Sequence, residues 1–526
     1  MLRHPLGHLL VVGFVAALAY VALAAYAAPS STDAPAAAPT TAASAVAPVA
    51  LRAEPAIDTF ALVVTDATPL RAGPRESAPQ QALLWQGSLL EVRGERLDHL
   101  QVWDHRLERG GYVAATRVRR LRLEPDEAPA LLAVVRFLRE TPGAEALGIG
   151  YAAAWLRAAP AADVQSADGA EVFDALGAFA DRLAQRASAG TTGGKAAEAA
   201  LAAHLEVATR YGVRFVERER DGRVRLCYDG EAWARVLALP ASPALQARAV
   251  LGLTQPECAD PALGPVPRQR DDETRAALLD RVPGKGLAHE WQRRLALRRA
   301  TLWSAIAFAR VRQGQVAPAE EAGRRALSEL AVVDKAQLSD ADLALHGEAA
   351  LRVGASRWAA ATPLRPTGKV RVDVSPGAPG ETCVALVDAR AETVPLARRC
   401  TYAQVWPASA TLNREGTALA LAVQPLPAWR ELWVFRRTPA GWLVEVLPPA
   451  PSGPDIGYAE FAGWVPGGRQ MLVAREARVE GRWRRSFEVV RLDDLGVERQ
   501  AGDPAILGAF QRWQDPAWKR ETISLR

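Results

Sequence analysis

The period of the apolar pattern changes twice along this 526-residue chain, and that limits what it can fold into. From about Thr59 to Leu123, apolar and polar residues alternate in short runs broken by Gly and Pro, as in half-buried strands. From about Asp126 to Ala361, apolar residues recur three and four apart, as on amphipathic helices. From Lys369 onward the alternation returns. The expected fold is multidomain α+β: a small β-barrel, a mainly α-helical middle domain and an all-β C-terminal domain.

The segment ahead of these domains reads as an export signal. Arg3 and the amino terminus are basic, Leu9–Ala24 is apolar and uncharged, and Ala25-Tyr26-Ala27 offers a cleavage site. Leu9–Ala27 is also long enough to span a bilayer at 1.5 Å per residue. Residues 1–27 are therefore a cleaved signal peptide or a retained membrane anchor. Either reading places the rest in the periplasm or cell envelope, in the second case anchored to the inner membrane by residues 9–27. Without a cysteine there, the segment offers no lipoprotein anchor site. Residues 28–57, rich in Ala, Pro, Ser and Thr, read as a disordered linker.

Outside the cytoplasm cysteines pair. The four here fall into two local sets, and nearest-neighbour pairing predicts Cys227–Cys258 and Cys383–Cys400. Metal binding is the weaker alternative, because no C-x-x-C unit is present and no histidine lies close by. The net charge of +5 is spread among interspersed Arg and Asp/Glu, which gives no footprint for nucleic acid.

Within residues 58–124 four marks recur in order. They are Leu70-Arg71-Ala72-Gly73-Pro74, Gly87 before Leu89-Leu90-Glu91-Val92, Gln101-Val102-Trp103, and Gly111-Tyr112-Val113. This segment resembles a bacterial SH3 (SH3b) domain. It departs from that pattern in the charged loop Asp104–Arg109 and in Trp85. The resemblance implies a binding module for cell-wall peptide or a protein partner. Trp103 and Tyr112 are the candidate groove aromatics; the competing reading packs both into the barrel's core or rim.

The helical domain is expected over 125–362, with a β-hairpin near 213–228 turning at Asp221-Gly222 and a Pro-rich loop over Asp260–Asp272. Near 292–332, Trp303, Ile306, Ala307, Gly314, Ala319 and Ala326 resemble one tetratricopeptide repeat, with Arg310 and Gly323 departing from it. Such a repeat, in an array, implies a protein-binding groove.

The domain 366–526 carries two segments that align. Val405-Trp406-Pro407, Arg414-Glu415-Gly416, Ala418–Val423 and Glu431–Arg436 correspond to Gly463-Trp464-Val465-Pro466, Gly467-Gly468, Gln470–Ala474 and Ser486–Arg491. They resemble β-propeller blades, with Val384-Ala385-Leu386-Val387 as a partial third. Eight tryptophans (406, 429, 433, 442, 464, 483, 513 and 518) lie here, either filling between sheets or lining a carbohydrate or peptide surface.

No catalytic motif stands out. Gly190–Lys195 lacks the Ser/Thr and the preceding strand of a phosphate loop, and there is no H-E-x-x-H or G-x-S-x-G. Asp271-Asp272 and Asp493-Asp494 read as solvated turns. The expectation is a non-catalytic envelope protein that binds or scaffolds, needing no cofactor or metal, with cell-wall peptidoglycan or envelope proteins as partners. The alternative is an envelope hydrolase with a dispersed carboxylate site between the helical and β domains.

Overall fold

Strand β1 (Phe60–Val63) is apolar at all four positions because both of its faces are buried. Ala61 and Val63 join Leu70, Leu90, Leu100, Val102 and Val113 inside the first sheet. Leu62 faces the other way and packs with Leu121 among helices. The computed structural model describes residues 59–521, apart from 191–192, 221, 362–369, 389, 391–393, 452, 454 and 480. The expected leader and linker lie outside the described residues.

The sheet continues through β2 (Thr68–Arg71), β3 (Gln80–Leu84), β4 (Leu89–Arg96), β5 (His99–Asp104), β6 (Arg109–Ala114) and β7 (Val118–Leu121). Its order is β3-β2-β6-β5-β4-β1-β7, and its pairs are antiparallel. Among the described residues no ladder joins β3 to β7, so the expected barrel is not closed edge to edge. On the β7 side, Leu121 is covered by helices, which protects an edge that closure would otherwise remove.

Helices α1 (Ala128–Arg139), α2 (Glu145–Ala158), α3 (Ala161–Val164), α4 (Ala167–Ala189) and α5 (Gly194–Arg210) follow. Ile149, Trp155, Phe179, Leu183 and Leu201 bring α2, α4 and α5 into one core with Leu62 and Leu121. The first sheet is thus fused to the helices. Gly87 marks the join: it has φ +86°, and a Cβ there would run into the Ala146 carbonyl. Its own carbonyl accepts a hydrogen bond from the Tyr211 hydroxyl at 2.6 Å.

The hairpin β8 (Phe215–Arg220) and β9 (Arg223–Tyr228) leads to α6 (Glu231–Ala238) and α7 (Pro243–Leu253). Ser242 caps α7 by accepting from the Leu245 N–H. The segment expected as a Pro-rich loop is instead largely helical, α8 (Pro265–Asp280). Gly264 stands at the N-cap, and Pro265 and Pro267 fall in the first turn, where the missing N–H groups have no helical acceptor. Asp272 is correspondingly buried on α8, 3.6 Å from Arg275, rather than in a solvated turn. Asp493 and Asp494 are exposed as expected.

Then come α9 (His289–Arg312), α10 (Val316–Ala331) and α11 (Asp340–Ser356). Gly314, at φ +74°, turns the chain between α9 and α10. Ile306, Ala307, Ala319 and Ala326 are all buried in these helices.

The C-terminal region is all β apart from short terminal helices. β10 (Val370–Pro376), β11 (Thr382–Asp388) and β12 (Ala397–Thr401) make a three-stranded antiparallel sheet. β13 (Gln404–Leu412), β14 (Ala418–Leu426), β15 (Trp429–Thr438) and β16 (Gly441–Leu447) form one antiparallel meander. β17 (Gly457–Val465), β18 (Gln470–Val479), β19 (Arg482–Arg491) and β20 (Val497–Ala501) form a second. A short parallel pairing of β15 with β17 joins them into one eight-stranded sheet. The two aligned sequence segments occupy β13–β15 and β17–β19. Helices α12 (Gly508–Trp513) and α13 (Pro516–Glu521) cover β17–β19 through Phe510 and Trp518.

Trp406, Trp429, Trp433 and Trp518 are buried, so they fill the interior rather than line a surface. Trp483 and Trp513 are exposed.

Candidate functional site

Trp103 and Tyr112 share the outer face of β5 and β6. Trp103 stands opposite Gly110, and Gln101 opposite Tyr112, so the four positions lie on one side of the ladder. The intervening Leu100, Val102 and Val113 point into the core. Both aromatics are half-buried. The Arg93 guanidinium lies 4.3 Å from the centre of the Trp103 ring, a cation–π contact that orients the indole.

A concavity lies elsewhere, in the helical region. A cleft of about 540 Å³ opens between α4, α6, α7, α9 and α11, with residues 255–257 on its rim. The Trp233 indole forms part of its floor. Gly177 on α4 and Gly252 on α7 admit that ring: a Cβ at either position would come within 2.5 Å of it. Glycine in a helix interior is unfavourable by roughly 1 kcal/mol against alanine, and here the missing side chains let the ring sit between two helices.

Held in this way, the indole N–H of Trp233 donates to Asp181 Oδ2 at 3.0 Å. The Gln255 amide donates to the same oxygen at 2.9 Å. Burial pushes the Asp181 carboxyl up to about 7, and these two hydrogen bonds only partly oppose that.

Gln255 is presented by a braced turn. Arg275 donates to the Thr254 and Gln255 carbonyls at 2.6 and 2.7 Å. Arg298 donates to the Leu251 carbonyl at 3.1 Å and also to the Thr254 carbonyl. Burial lowers Arg298 to about 10, so it stays charged at neutral pH.

The disulfide Cys227–Cys258, with 5.7 Å between Cα atoms, ties β9 to the far side of this turn. The second pair, Cys383–Cys400, bridges directly opposed residues of β11 and β12. Both pairings match the sequence expectation. Glu381 lies with Cys383 and Cys400 in a cluster of ligand-type atoms, but sulfurs joined in a disulfide are not thiolate ligands.

Three further arginines line the cleft, each braced by a carboxylate. Arg248 meets Asp174 at 3.0 Å, Arg294 meets Asp342 at 2.9 Å, and Arg182 meets Glu145 at 3.3 Å. Arg248 and Arg294 also flank Trp291, at 5.5 and 5.6 Å from its ring centre.

No known protein family, curated protein or solved structure matches the chain. None of these comparisons points to catalytic activity.

The contact between the helical region and the C-terminal sheet, where the alternative reading put a dispersed carboxylate site, holds a buried ionic cluster. Arg430 on β15 is fully buried and donates to the Gly354 carbonyl at 2.6 Å. Glu460 on β17 lies 2.7 Å from Arg357 and 3.4 Å from Arg430.

Sequence reasoning singled out none of the cleft residues. The available signal was Gly177 and Gly252, each inside an otherwise helical apolar pattern, since such glycines mark close approach.

Proposed function

We propose that this chain is a non-catalytic binding or scaffolding protein of the cell envelope. In this reading the first sheet is an SH3-like module that contacts cell-wall peptide or a protein partner. The observation that carries it is the placement of Trp103, Gln101 and Tyr112 together on the solvent side of β5 and β6. Aromatic residues left on an outer face beside hydrogen-bonding groups suit peptide recognition. The helix pair α9–α10 and the two four-stranded meanders provide further surfaces, read as tetratricopeptide-like and blade-like. The two disulfides fit an oxidising compartment.

The test is co-sedimentation of the purified protein with cell-wall sacculi, comparing the native chain with Trp103→Ala/Tyr112→Ala. Point variants are needed because removing residues 59–123 would strip Leu62 and Leu121 from the helical core. Binding that disappears in the double variant, with its circular dichroism unchanged, supports the module. Equal binding by both proteins would sink it.

A further inference from the structure

We propose that the helical cleft is a binding site for a short, uncharged saccharide. Its volume of about 540 Å³ falls within the ~300–1,000 Å³ range of small-molecule sites. Trp291, Leu251 and Leu345 on its walls offer apolar surface to the C–H face of a sugar ring.

The polar groups decide between ligand classes. A site built for an anion leaves its cations uncompensated. Here Arg248, Arg294 and Arg182 are each paired with a carboxylate, and Arg298, which donates to the Leu251 and Thr254 carbonyls, shares the cleft walls with Glu257 and Glu348. Those pairs fix the guanidinium directions while offsetting most of the charge. The cleft therefore presents oriented N–H donors with little net field.

Acceptors stand beside them. Asp181 uses Oδ2 for both of its hydrogen bonds, and Oδ1 has no partner among the described residues. An open acceptor beside the Trp291 ring suits a ring hydroxyl, which both donates and accepts. This proposal is independent of the role given to the first sheet.

The experiment is saturation-transfer NMR on the purified full chain with chitotriose, cellotriose and maltotriose, and with glucuronate and inorganic phosphate as charged comparators. At least one neutral oligosaccharide should bind. Trp291→Ala should weaken it at least about tenfold, equivalent to ~1.4 kcal/mol. Leu345→Trp, at an exposed position on the cleft wall, should block binding without lowering the melting temperature. Trp103→Ala should leave binding unchanged. Binding of only glucuronate or phosphate would overturn the proposal in favour of an anion site. Binding of no probe, or neutral binding insensitive to both cleft variants, would overturn it outright.

Discussion

At the scale of single residues, Asp181 shows how burial sets chemistry. Unfolded, its carboxyl releases its proton near 3.8; folded, it holds that proton up to about 7. Between these values the folded chain binds more protons than the unfolded chain. The contribution to stability is therefore complete below about pH 4 and is lost as pH rises through 7. Asp174 and Asp272 are pushed up to about 6, also by burial, and add to the same slope. Asp181→Asn should flatten part of the fall in melting temperature between pH 4 and 7. An unchanged pH profile would mean that this carboxyl is not desolvated as described.

Elements are held here by caps, glycines and cross-links more than by propensity. The hairpin β8–β9 is exposed over much of its length, and a lone hairpin is marginal in water. Cys227–Cys258 ties its second strand to a turn 31 residues further on. Replacing both cysteines with serine should lower stability by ~3–4 kcal/mol on the chain-entropy account. Denaturant unfolding measures that loss, and thiol titration of the native protein should find no reactive thiol. A double-serine variant as stable as the native chain would show that the hairpin is secured by packing alone. The α8 segment teaches a related point. Its prolines suggested a loop, yet proline is compatible with the first turn of a helix, and only the burial of Asp272, Arg275, Ala276 and Leu279 reveals that a helix continues from it.

Across the whole described molecule, the parts are joined by interfaces of opposite character. The first sheet meets the helices through apolar packing around Leu62, Ile149 and Phe179. The helices meet the last sheet partly through charge: Arg430 is fully buried, lowered to about 10 by desolvation, and faces Glu460. Removing one partner of a buried pair typically costs about 3–5 kcal/mol, because the other is left uncompensated. Glu460→Ala should therefore lower the main thermal transition, while Glu498→Ala on the exposed β20 should leave it within a degree or two, as surface changes generally do. Equal effects of the two substitutions would show that the buried cluster does not hold the interface.

Local pattern alone determined much of this protein: the β–α–β succession, most helices, the hairpin near 213–228, both cysteine pairings and the correspondence of the two C-terminal meanders. Those features depend on period, turn residues and nearness in sequence. Tertiary structure alone decided the rest. Whether β3 and β7 pair, which tryptophans are buried, and how Asp181, Trp233 and Gln255 converge all depend on contacts between residues far apart in the chain. The cleft is the clearest case. Trp233 reaches Asp181 across 52 positions, and Gln255 reaches it across 74, while Gly177 and Gly252 make room for the ring that joins them. No periodicity encodes such a meeting, because it arises from the way helices stack.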